Sequence, residues 1–135
     1  MLDADQDSRA VTILDMEAGL EHLSRGTARY VDTLVVTLEP YFKALETARR
    51  CAELGREIGI RRVVAVANKT RDEGDRIAIR DYAARHGLSL LGDIPFDEVI
   101  RKAEIAGDPP MQHPDAPAVR AIADLTGRLT AHPVE

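Results

Sequence analysis

Hydrophobic positions along the chain fall into two alternating kinds of run. Short runs rich in Val, Ile and Leu occupy residues 11–16 (Val-Thr-Ile-Leu-Asp-Met), Thr33–Leu38, residues 62–68 (Arg-Val-Val-Ala-Val-Ala-Asn) and residues 88–94 (Leu-Ser-Leu-Leu-Gly-Asp-Ile). They are near-continuous rather than strictly alternating, which is the pattern of strands covered on both faces. Longer runs with helical spacing separate them. Phe42, Leu45, Ala48, Ala52 and Ile58 fit one face of a helix over residues 41–58, with Gly59 as its stop. Ile79, Tyr82 and Ala83 fit a second over 75–86, ended by Gly87, and shorter helices are predicted at 97–106 and 117–130 with Asp97 and Asp115 as N-caps.

Strand and helix alternating in series predict right-handed parallel crossovers, hence an α/β fold with a three-layer parallel sheet of four strands. Four prolines between positions 109 and 117 mark the main irregular stretch, an extended surface crossing before the last helix. The 135 residues suit one domain over 11–130 with short tails at 1–10 and 131–135.

Composition narrows the function classes. Eighteen Lys+Arg against 23 Asp+Glu leave a formal net charge of −5, so no broad basic footprint for nucleic acid is expected. Cys51 is the single cysteine, which excludes an intrachain disulfide; it reads as a small core residue of the second helix. No apolar run approaches the roughly 18 residues of a membrane span. Residues 1–7 are acidic where a signal peptide is basic, so the expected address is cytoplasmic, without stable membrane insertion.

Ligands of open α/β sheets gather at the carboxyl ends of the strands. Those ends carry Asp15-Met16-Glu17-Ala18-Gly19, Glu39-Pro40, Asn68-Lys69 and Pro95-Phe96-Asp97. A strand-end carboxylate before a glycine loop can hold magnesium through water, although the same Asp can equally cap a turn. Adjacent Glu21 and His22 diverge on a helix and make a weak metal site. His113 and His132 are expected in solvent, and Arg49-Arg50 and Arg61-Arg62 are expected as solvated charges.

Asp15, Glu17, Ala18, Gly19, Glu21, His22, Arg25 and Gly26 follow a hydrophobic strand in the pattern D-x-E-A-G-x-E-H-x-x-R-G. This resembles the switch region of the MinD/ParA/CooC group of P-loop ATPases, most closely the CooC type linked to nickel insertion into carbon monoxide dehydrogenase. The resemblance continues through Val66-Ala67-Asn68-Lys69, Leu91-Gly92-Asp93-Ile94-Pro95-Phe96-Asp97 and Ala103-Glu104-Ile105-Ala106-Gly107-Asp108-Pro109. It implies ATP and magnesium as cofactors. By resemblance Asp15 is the Walker B carboxylate acting through a magnesium-bound water, and Glu17 places the attacking water. Gly19 lies near the γ-phosphate, Asn68 meets adenine, and Pro95, Phe96 and Asp97 border the base.

The chain contains no G-x-x-x-x-G-K-[ST]; its lysines are Lys43, Lys69 and Lys102, and none follows a glycine-rich loop. The family's Cys-x-Cys pair is absent as well. The resemblance thus implies a partial P-loop NTPase fold of the SIMIBI/MinD-like type that lacks the P-loop strand, the C-terminal half of a CooC-like ATPase. Two readings stay open: an ATP-binding part that is inactive without an N-terminal half, and a non-catalytic interaction or dimerisation module. Partners implied are that missing half, a second copy, or carbon monoxide dehydrogenase. A MinD-like septum-site ATPase is disfavoured because the last helix lacks the basic amphipathic face that membrane cycling needs. Without the P-loop strand, residues 11–16 and Thr33–Leu38 are expected either to close up into one four-stranded sheet or to leave an edge prone to association.

Overall fold

The computed structural model describes residues 11–16 and 24–131. After a single helical turn, α1 (Arg25–Ala28), the chain runs β1 (Thr33–Leu38), α2 (Phe42–Glu57), β2 (Arg62–Thr70), α3 (Glu73–Arg85), β3 (Leu90–Pro95), α4 (Glu98–Ala106), a 3-10 turn at Pro110–Gln112, and α5 (Pro117–Ala131). The three strands form one sheet in the order β1-β2-β3, parallel throughout. Strands that advance one place at a time through right-handed crossovers carry both connecting helices on the same face. Consistent with that, Val36, Leu38, Ala65 and Ala67 of the sheet pack with Leu45, Ala48 and Ala52 of α2 and with Ile79, Tyr82 and Ala83 of α3.

The opposite face belongs to α5. Val66 pairs with Gly92, and a Cβ on Gly92 would stand 2.6 Å from Leu125 Cδ2 of α5. On the α2 side a Cβ on Gly55 would stand 2.6 Å from Leu34 Cδ2. Each face thus has one helix pressed close over a missing side chain, and the three layers follow. The Arg62 guanidinium donates to the Leu129 carbonyl at 2.9 Å and fastens the end of α5 to the start of β2. Gly59, Gly87 and Gly107, with φ of 97°, 63° and 77°, terminate α2, α3 and α4 in a conformation that a side chain would strain.

Several expectations change. Residues 11–16 are not a strand: they are irregular, with Val11 74%, Ile13 86% and Leu14 56% exposed, and the sheet has three strands instead of four. An apolar run becomes a strand only where it docks on a neighbour's ladder groups, and residues 11–16 do not dock on the open edge of β1. The close-up of residues 11–16 against β1 does not occur, so β1 pairs on one side only. Phe42 is not on the buried stripe; it is exposed, because the first turn of α2 lies beyond the end of β1.

Asp97 caps α4 as expected, but Asp115 does not cap α5 and instead pairs with Arg120 at 3.3 Å. Arg61 and Arg62 are engaged, with Asp32 and Leu129, and Arg49 is half-buried between Glu46 and Glu53. His113 is half-buried, its Nε2 atom out of solvent and without a hydrogen-bond partner among the described residues. Cys51 packs against the core as expected, and burial pushes its thiol up. His132, Glu21 and His22 lie outside the described residues.

The α2–α3 contact ends in a polar network. The Tyr82 hydroxyl donates to Glu46 Oε1 at 2.5 Å, and the Arg49 guanidinium donates to both oxygens of Glu46. Those bonds from Arg49, then from Tyr82, lower the Glu46 carboxyl to about 2. A depressed carboxyl contributes stability above its unfolded value and loses it as pH falls through the folded one. The stability gap between the native chain and Glu46→Gln should therefore hold at neutral pH and close between about pH 4.5 and 2, as urea titrations at several pH values would measure. Leu38→Ala, at a fully buried core position, should cost about 2–5 kcal/mol in the same assay, as a lower midpoint with an unchanged slope.

Candidate functional site

All three strands are parallel, so their carboxyl ends open on one edge of the sheet. Leu38 pairs with Ala67, Asn68 with Ile94, and Thr70 with Pro95, which sets Glu39, Asn68 and Pro95-Phe96 side by side. The register slips between Asn68 and Thr70, and Lys69 is the bulged residue. Lys69 has φ 55°, the one non-glycine residue with positive φ among those described. A left-handed residue with a Cβ is strained by about 1 kcal/mol or more and persists only where its surroundings enforce it.

Those surroundings are explicit. Thr70, 1% exposed, donates its hydroxyl to Asp93 Oδ1 at 2.5 Å, while Arg76 Nε donates to Asp93 Oδ2 at 2.7 Å. The Thr70 carbonyl accepts the Phe96 N–H at 2.9 Å, and the Arg71 N–H is held by Asp75 Oδ2 at 2.8 Å. Asp72 then caps α3 through the Asp75 N–H. The bulge turns Thr70 toward α3, and Lys69 leans back to Glu39, Nζ to Oε1 3.7 Å.

Asn68 is half-buried at this edge, and its amide makes no hydrogen bond to another described residue. Phe96 lies beside it across the sheet, with the Arg71 guanidinium over its ring at 4.0 Å from the centroid. Asp97 borders the same edge, but each carboxylate oxygen is engaged: Oδ1 accepts the Val99 N–H at 2.9 Å and Oδ2 the Ala118 N–H at 3.0 Å. One side chain thereby joins the N-termini of α4 and α5. A carboxylate at two positive helix ends stabilises both, which explains why α5 needs no cap of its own.

The fold therefore brings together Asn68, Pro95, Phe96 and Asp97. It does not bring Asp15 to them as a strand end, because Asp15 lies in the exposed irregular stretch 11–16. Glu17 and Gly19 lie outside the described residues. Among the described residues no three His, Cys, Asp or Glu side chains are grouped to hold a metal. No described helix is long and apolar enough to cross a membrane. Sequence reasoning missed Arg71, Thr70 and Arg76. Arg71 is 25 positions from Phe96, and only the parallel register makes them neighbours.

No protein-family model matches the chain. An uncharacterised ATP-binding protein of Methanocaldococcus jannaschii is 41% identical over 100 residues, 73% of this chain and 38% of that protein. The carbon monoxide dehydrogenase accessory protein CooC of Rhodospirillum rubrum is 43% identical over 95 residues, 70% of this chain and 35% of CooC. The chain thus spans little more than a third of the length of these curated relatives. Among solved structures, the MinD cell division protein of Aquifex aeolicus superposes with a TM-score of 0.64 at 21% identity, over 77% of this chain and 46% of MinD. Sequence and fold agree with the α/β edge described above: the matched part of the chain is homologous to part of CooC and of other ATP-binding proteins, and its fold is that of part of MinD.

Proposed function

We propose that the chain is the base-recognising part of the nucleotide site of a CooC/MinD-like ATPase, and that it does not hydrolyse ATP by itself. The observation that carries this reading is Asn68: a half-buried amide with no partner among the described residues, at the carboxyl end of the central strand, beside Pro95 and Phe96. An amide so placed can donate to and accept from a purine edge. Triphosphate anchoring needs a nest of backbone N–H groups and a cation. The sequence has no glycine-rich lysine loop to supply them, and Lys69 is turned to Glu39. In this reading that function falls to the part of the relatives the chain does not span. Asp15, Glu17 and Gly19 complete a magnesium and γ-phosphate site only once such a part is present. Carbon monoxide dehydrogenase is the client this kinship suggests, from the name CooC carries.

A second reading, an interaction module, is favoured by one observation. β1 pairs on one side only among the described residues, its six residues carry no charge, and Val35 on it is 39% exposed. An unblocked edge is a template for another strand, from a complementing polypeptide or a second copy.

Two outcomes follow. Purified chain should release no phosphate from millimolar ATP and should bind ATP with at best millimolar affinity, about 4 kcal/mol, by calorimetry. Adding a polypeptide that carries a glycine-rich phosphate loop should restore tight binding, and Asn68→Ala should then weaken it; turnover by the chain alone that vanishes in Asp15→Ala would overturn the reading. In sedimentation velocity the chain should associate with rising concentration, and Val35→Lys, a charge on the open edge, should shift it toward monomer.

A further inference from the structure

The Arg71–Phe96 pair stands at the same strand ends as Asn68, and nothing in the packing of the core requires it. Phe96 is fixed at its backbone by the bond to the Thr70 carbonyl, one residue past β3. Arg71 is fixed at its backbone by Asp75, while its side chain is exposed; it acts on the Glu98 carboxylate through space but forms no salt bridge among the described residues. Its neighbours differ. Lys69 is turned to Glu39, Arg76 to Asp93, and Arg101 to Glu98. Arg71 instead holds its guanidinium carbon over the Phe96 ring, 4.0 Å from the centroid.

From this geometry we propose that Arg71 and Phe96 form a clamp for the planar base of the nucleotide, a role that rests on the nucleotide reading and adds a stacking residue to it. Both faces are flat, and an exposed cation–π contact is weak enough to open. The guanidinium swings up on its flexible stem, the base lies on the Phe96 ring, and the guanidinium closes over the base. Arginine stacks on aromatic planes in a way lysine does not. Asn68, three residues before Arg71, then reads the edge of the ring that the clamp holds by its faces. With the guanidinium resting on Phe96 in the free protein, the aromatic surface is kept from water until a base replaces it.

The test is a nuclear magnetic resonance titration of the whole chain with adenosine, ATP and inorganic tripolyphosphate through the millimolar range, following the Arg71 side-chain and Phe96 ring signals. Adenosine and ATP should move both sets of signals, and tripolyphosphate should leave the ring signals in place. Arg71→Ala and Phe96→Leu should each weaken adenosine binding about tenfold, the scale of one base–aromatic stack, with Arg71→Lys recovering only part. Arg71 is exposed, so Arg71→Ala should keep the fold, and Arg71→Lys, which retains the charge facing Glu98, separates the ring contact from the lost charge. Tripolyphosphate moving Arg71 as far as ATP does would make Arg71 a phosphate ligand and overturn the clamp. Unchanged affinity in both variants, with binding still lost in Asn68→Ala, would overturn the clamp and leave the nucleotide reading standing. If neither adenosine nor ATP moves any signal, the clamp is overturned, and the nucleotide reading is decided by the complementation with a phosphate-loop polypeptide.

Discussion

Strand β2 has a neighbour on each side and helices over both faces, so every group it carries past its last ladder bond must find a partner at one crowded edge. The register slip at Lys69 is how the chain meets that demand. By displacing one residue in a left-handed turn, it aims Thr70 at Asp93 and frees the Thr70 carbonyl for Phe96. Asp93 in turn holds Arg76 of α3. A buried hydroxyl, a half-buried carboxylate and a guanidinium satisfy one another, and none is left with the desolvation penalty of an unpaired polar group. The strain at Lys69 is thus offset by the bonds it makes possible.

The same edge shows how one carboxylate can set the path of two helices. Asp97, two residues past β3, caps α4 and reaches the first turn of α5 across the proline-rich crossing. Because α5 is the described helix that supplies the second outer layer, the angle at which it leaves this edge decides whether Leu125 arrives over Gly92. The strand-end edge and the packing of the back face are therefore coupled through one side chain. A ligand that drew the Asp97 carboxylate away would loosen α5, whereas one held by Asn68, Phe96 and Arg71 leaves that tie intact.

At the other side of the sheet the chain is open. β1 has Leu34, Val36 and Leu38 buried or half-buried against α2, but its outer ladder groups have no strand among the described residues, and Val35 on the opposite face is partly exposed. α5 packs on β3, so the back layer covers the sheet unevenly. The relatives are two to three times longer than the stretch matched here, and the MinD fold is covered to less than half.

By itself the sequence determined the order of elements over residues 33–131, the parallel class of the sheet, the glycine stops, and Asp97 as a cap. Each of these is a local matter, set by period, β-branched content or backbone freedom within a few residues. It also placed Asn68, Pro95 and Phe96 at strand ends, since strand ends are local too. Residues 11–16 carry the same apolar pattern as the real strands, yet pattern specifies a surface fit to be buried and not the neighbour that buries it. Whether β1 gained a second partner, which helix Asp97 capped besides its own, and that Arg71 met Phe96 were decided by tertiary structure. All three depend on strand register and on helix placement across 21 residues or more, distances at which chain periodicity has no reach.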